Sequence, residues 1–169
     1  MSDMPNLWVD TNFARSARAL SSLSRLARSK GFRVVIPMPV YVEDQHHERV
    51  YRGSAFSLRR YDEFLDQAGI SLLSFDKDQA TRVASKLAEW FPTDDAWQSA
   101  KRIAIGREGR GRAPMTTDWL IAAFVAADAD ARVVTGDSGH EWSKLRDAER
   151  VLSHDEAIGW LSSQPDARA

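Results

Sequence analysis

The chain has 169 residues, about one domain's worth, and a domain of that length buries enough surface to fold without disulfides. Its cysteine count is 0, which excludes a disulfide scaffold, a thiol nucleophile, a cysteine zinc ribbon and an iron–sulfur site. With 23 Lys+Arg against 24 Asp+Glu the net charge is -1, so no overall excess announces a nucleic-acid or membrane partner.

Short apolar runs alternate with segments of helical period, the pattern of a parallel sheet flanked by helices. Leu7-Trp8-Val9 reads as a strand that stops at Asp10. Phe13, Ala17, Leu20, Leu23 or Ser24, and Ala27 then form one helical stripe, closed by Lys30-Gly31. Arg33–Ile36 is a β-branched second strand, and Pro39 suits the first turn of a helix running through Glu43. Ser54 is the expected cap of a helix carrying Tyr61 and Leu65, which Gly69 ends. Ile70–Phe75 is a third strand, and Asp76 and Thr93 open two more helices. The glycine-rich stretch 106–114 reads as a loop, after which Thr116 or Thr117 caps an alanine-rich helix. Ala131–Thr135 is a fourth strand, followed by a short helix near Trp142, an edge strand near Val151 and a last helix His154–Leu161. Trp8, Trp90, Trp119 and Trp160 are expected in the core, and residues 162–169 as a disordered tail. The expected fold is α/β: one domain over residues 1–161, with a mainly parallel sheet of four to five strands and helices on both faces.

Three aspartates fall where open α/β sheets place ligands, outside the carboxyl ends of the strands. Asp10 ends the first strand, Asp137 follows the fourth after Gly136, and Asp118 stands in the first turn of a helix. Glu43, early in the helix after the second strand, is a fourth candidate. Each has an ordinary structural alternative: a turn aspartate at Asp10, a dipole partner at Asp118, a solvated face residue at Glu43. Carboxylates gathered at one edge would repel one another unless a cation neutralised them. Oxygen donors without cysteine suit Mg²⁺ or Mn²⁺, ions that activate water against phosphodiesters.

Leu7-Trp-Val-Asp-Thr-Asn12, Pro39-Val-Tyr-Val-Glu43, Thr117-Asp-Trp-Leu-Ile-Ala-Ala123 and Val133-Val-Thr-Gly-Asp137 together resemble the four motifs of PIN-domain nucleases. The likeness is greatest to VapC-type toxins of bacterial toxin–antitoxin pairs and spans about residues 6 to 142. It implies a metal-dependent endoribonuclease that is held by a protein antitoxin and commonly dimerises. The acids Asp10, Glu43, Asp118 and Asp137 would then surround Mg²⁺ or Mn²⁺, with Asn12 beside the first. The Thr135 hydroxyl would orient water or a carboxylate, and Glu141 would add a fifth carboxylate on the rim. The stretch between Glu43 and Asp118 is longer than compact relatives have, and residues 91–114 read as the extra material. Asp44 abuts Glu43, and only one of two helix neighbours can face a metal. Val40 and His47, at helical spacing, favour Glu43.

Charge is segregated along the chain. Residues 11–60 carry ten Lys/Arg against three acids, and residues 101–112 five against one. Arg107, Arg110 and Arg112 precede Asp118 and are candidates for RNA contact. The adjacent His46 and His47 diverge on a helix and suit a surface role. No Walker loop, Rossmann fingerprint or Gly-x-Ser-x-Gly elbow is present. A magnesium-dependent phosphatase with Asp10 as nucleophile is the runner-up, disfavoured because Asn12 stands where a second aspartate is usual. A non-catalytic PIN-like scaffold ranks third. No apolar run approaches the ~20 residues of a membrane helix, and the start lacks an export signal. The expected location is the cytoplasm, with no membrane partner.

Overall fold

The computed structural model describes residues 4–10, 17–55, 57–74, 76–103, 116–137 and 139–167. Five strands form one sheet in the order β3-β2-β1-β4-β5, all parallel: β1 (Asn6–Val9), β2 (Arg33–Pro37), β3 (Ser71–Leu73), β4 (Arg132–Val134) and β5 (Val151–Leu152). β1 pairs with β2 on one side and β4 on the other, so the chain winds outward from β1 in both directions. Val34, Val35 and Ile36 are all fully buried. Neighbours in a strand point to opposite faces, so both faces of the sheet are covered. Eight helices are described: α1 (Ala17–Ser29), α2 (Met38–Arg52), α3 (Leu58–Ala68), α4 (Lys77–Trp90), α5 (Asp94–Arg102), α6 (Thr116–Ala126), α7 (Ser143–Arg146) and α8 (His154–Ser163). Among the described residues no helix is long and apolar enough to cross a membrane.

The chain divides into two compact units, residues 1–74 with 130–136 and 152–169, and residues 75–129 with 137–151. In the first, α1 packs on β2, α3 and α8, and α2 packs on β2 and β3. Leu20, Leu23 and Ala27 of α1 are fully buried, as their stripe predicts. Ser24 is buried among them because its hydroxyl donates to the Ala68 carbonyl at the end of α3 (2.7 Å). Gly69 then turns the chain with φ +66°, and a Cβ there would stand 2.4 Å from the Arg28 guanidinium.

In the second unit α4 packs on α6, and α6 is buried on nearly every side. Trp119 is its centre: the rings of Phe91, Trp90 and His140 meet it edge-on at 4.8, 6.3 and 5.6 Å. Arg150 donates to the Val125 carbonyl (2.9 Å) and to that of Asp128, tying down the end of α6.

Several local expectations change. Ser57, not Ser54, caps α3, because Ser54 lies in a 3₁₀ turn, Gly53–Ala55, that separates the two helices. Thr116 is already helical and so caps nothing. β3 spans only Ser71–Leu73. Trp90 and Trp160 are half-exposed, whereas Trp142 is core. The C-terminal segment is described through Ala167. The Ala167 amide donates to the Ser29 carbonyl (2.9 Å), and Lys30 pairs with Asp166 at 2.7 Å, which holds that carboxyl below its usual range. Removing the Ser24 hydroxyl takes one of two donors from the Ala68 carbonyl, Arg28 at 3.3 Å being the other. Ser24→Ala is expected to lower stability by about 1–2 kcal/mol, read from the midpoint of urea unfolding.

Candidate functional site

β1 and β4 lie side by side, and at their carboxyl ends the winding of the sheet reverses direction. Such a switch point opens a crevice in which α/β proteins bind ligands. Asp10 extends the ladder by one residue, its amide donating to the Val134 carbonyl at 3.1 Å. Its carboxylate is then turned to the neighbouring strand end, where the Thr135 hydroxyl donates to Oδ2 at 2.8 Å. Both groups are buried, at 7% and 4% exposure. A buried carboxylate in a fixed rotamer is what a metal ligand or a catalytic base requires.

On α2 the two adjacent acids separate sharply. Asp44 is fully buried and follows Val40, also fully buried, by one helical turn, while Glu43 is half-exposed. The spacing to Val40 and His47 therefore does not single out Glu43, because three and four residues both return to one face. Asp44 Oδ2 accepts a very short hydrogen bond from the Tyr61 hydroxyl of α3. One turn back, the Tyr41 hydroxyl of α2 donates to Asp62 Oδ1 of α3 at 2.6 Å. The two phenols thus cross between antiparallel helices, each bonded to the other helix's aspartate. Burial first, and the aspartate's bond and charge second, push Tyr41 up to about 12 and Tyr61 higher still.

In the second unit Asp118 is half-buried in the first turn of α6, where the helix dipole favours a carboxylate. Asp137 is exposed and its Oδ1 accepts from the Gly139 amide at 2.9 Å. The Arg146 guanidinium donates to the carbonyls of Asp137 and Gly139 at 2.9 and 3.0 Å, which fixes the turn around them. Glu141, expected on a rim, is instead buried at 5% exposure. Its carboxylate lies against Gly139, where an added Cβ would come within 2.0 Å of Oε1. The turn bearing Glu141 packs on α6. Asn12, Arg107, Arg110 and Arg112 lie outside the described residues.

The structure thus brings Asp10 to Thr135, and sets Asp118, Asp137 and Glu141 in one unit. Within neither unit do the described residues gather three or more His, Asp or Glu around a point that could hold an ion. The chemistry of the donors, carboxylate and hydroxyl oxygens throughout, fits a hard divalent cation. Sequence reading missed the burial of Asp44 and its bond to Tyr61. A tyrosine one helix later is too common a signal to find it. It also missed the Arg146 clamp, which joins a side chain to backbone carbonyls and leaves no pattern of residue types.

The architecture is an α/β fold of five parallel strands flanked by helices. Among solved structures the chain is similar to one from the crystal structure of VapBC2 from Rickettsia felis bound to a DNA fragment from their promoter. The TM-score is 0.50 and the identity 17%, over 88% of this chain and 96% of that one, a likeness of fold alone. No family model matches the sequence, and no curated protein does.

The crossed tyrosines predict a pH dependence. Both keep their protons in the folded protein at pH values where the unfolded chain, with tyrosines near 10, releases them. Their contribution to stability is therefore complete below pH 10 and is lost as pH rises through 10 towards 12. The urea midpoint is expected to fall over that interval, and to fall less in the Tyr41→Phe, Tyr61→Phe double variant.

Proposed function

We propose that the chain is a metal-dependent endoribonuclease, the toxin of a toxin–antitoxin pair. Asp10, Glu43, Asp118 and Asp137 would hold Mg²⁺ or Mn²⁺. The observation that carries this reading is the buried Asp10 carboxylate, fixed by Thr135 at the switch point of a parallel sheet. A simple turn aspartate would face solvent and need no hydroxyl from the next strand. Support also comes from the four acidic motifs in order and from the fold likeness to a toxin–antitoxin complex. The bound ion would supply an activated water and charge neutralisation at the phosphate. Asp10 would bind it, Thr135 would hold Asp10 in place, and Asp118 and Asp137 would complete the oxygen set. A protein antitoxin is the proposed inhibitor, a homodimer the proposed assembly and the cytoplasm the proposed location.

The test is incubation of the purified chain with structured RNAs, with Mg²⁺ or Mn²⁺ present or chelated, and mapping of the ends. Metal-dependent cleavage leaving 5′-phosphate and 3′-hydroxyl ends is expected. Asp10→Asn is expected to lower it by at least about 100-fold, since a lost ligand forfeits several kcal/mol of charge stabilisation. EDTA-resistant cleavage by that variant would sink the assignment. Thr135→Val removes only the orienting hydroxyl and is expected to cost about 10- to 100-fold in metal affinity or rate. Glu43→Gln is expected to abolish cleavage. Retained activity there, with loss in Asp44→Asn, would move the ligand by one position.

A further inference from the structure

The end of α2 and the start of α3 form a second chemical feature, distinct from the acids. Residues 46–60 carry four arginines and one acid. Arg49, Arg52, Arg59 and Arg60 are all exposed, the Arg59 side chain at 88%. Tyr51 stands among them at 81% exposure, its ring stacked on His47 with 14° between the planes and 6.3 Å between centroids. The crossed bonds Tyr41–Asp62 and Tyr61–Asp44 run the two helices antiparallel, so the last turn of α2 and the first of α3 lie at the same end of the pair.

Folding alone does not account for this arrangement. Arg49 and Arg52 in the last turn of α2 complement its dipole. Arg59 and Arg60 stand in the first turn of α3, the positive end, which has no acid in it. Arg52 pairs with Glu48 and Arg59 with Glu63, but exposed pairs of this kind are weak and yield to a phosphate. An exposed tyrosine with a stacked neighbour contributes little to a core, yet offers a flat face to a nucleobase.

We propose that this surface docks single-stranded RNA: Arg49, Arg52, Arg59 and Arg60 engage phosphates and Tyr51, backed by His47, stacks on a base. The inference rests on the ribonuclease reading and names how that enzyme holds its substrate strand. The complementary charge argues for RNA over a second copy of this chain, which would bring four more arginines to the same place.

The experiment measures binding without cleavage. The full-length Asp10→Asn protein, in EDTA, is titrated into a fluorescent mixed-sequence single-stranded RNA of twelve nucleotides, at salt from 50 to 200 mM, by anisotropy. Tyr51→Ala is expected to weaken binding about 5- to 150-fold with the salt slope unchanged, and Tyr51→Phe to restore it. Arg59→Gln with Arg60→Gln is expected to reduce the slope of log affinity against log salt by about 1.4, two phosphates' worth on a single strand. No RNA binding by the parent, or unchanged affinity and slope in both variants, overturns the proposal. So does a dimer in sedimentation that Tyr51→Ala splits while RNA affinity stays the same, which makes this face an interface between copies. Binding that follows the prediction in a wild-type chain that cuts no RNA sinks the nuclease reading and leaves the RNA surface standing.

Discussion

The parallel pairing of β1 with β4 sets Asp10 and Thr135 beside each other at the one place where the winding of the sheet reverses. Parallel strands end in register, so residues one step past the ladder on adjacent strands are neighbours without any further design. The Asp10 amide is still bonded to Val134, which leaves the carboxylate little freedom to swing away. The hydroxyl of Thr135 then selects one rotamer, and its own amide is held by the Leu152 carbonyl of the next strand. An acid placed this way inherits the rigidity of three strands. Its position would be lost only with the sheet itself, which is why chemistry at this end of the fold can rely on a side chain from a short strand.

The second unit reaches rigidity by other means. Asp137 has no strand to extend, and its turn is held by a side chain: Arg146 gives its guanidinium to two carbonyls of the backbone. The Asp137 carboxylate in turn accepts from the Gly139 amide. The Glu141 carboxylate lies in the space a side chain at 139 would enter, so a larger residue there would have to displace it. Where the first unit orients its acid by strand register, the second orients its acids by a cation–carbonyl clamp and the dipole of α6.

The strands, the order of the helices and the placement of Asp10 at a strand end and Asp118 at a helix start were legible in the sequence, because burial writes itself as period and length. Leu20, Leu23 and Ala27 repeat at the helical interval and are buried. Val34, Val35 and Ile36 run without alternation and are buried on both faces. Contacts between elements were not legible. Glu43 and Asp44 both lie within a turn of Val40, so period alone cannot rank them, and the partner that draws Asp44 inward, Tyr61, is set by how α3 docks. The contacts of the C-terminal segment with the end of α1, one ion pair and one amide bond, were not legible either, since neither depends on hydrophobicity. The stretch after Ile103 and its arginines lie outside the described residues.

The crossed tyrosine–aspartate bonds also explain how acids and arginines coexist on one pair of helices. α2 runs from Glu43 and Asp44 to Arg49 and Arg52, a polarity its dipole favours. α3 runs from Arg59 and Arg60 to Asp62, Glu63 and Asp66, the opposite polarity, which its dipole opposes. Within each helix part of this charge is paired one turn apart, Arg52 with Glu48 and Arg59 with Glu63. Asp44 and Asp62 are accommodated by neutral phenols, whose protons the burial holds in place. The arginines are accommodated by water, where screening keeps mutual repulsion small. Arg49, Arg52, Arg59 and Arg60 stay exposed, the condition under which a polyanion gains by binding and releasing its counterions.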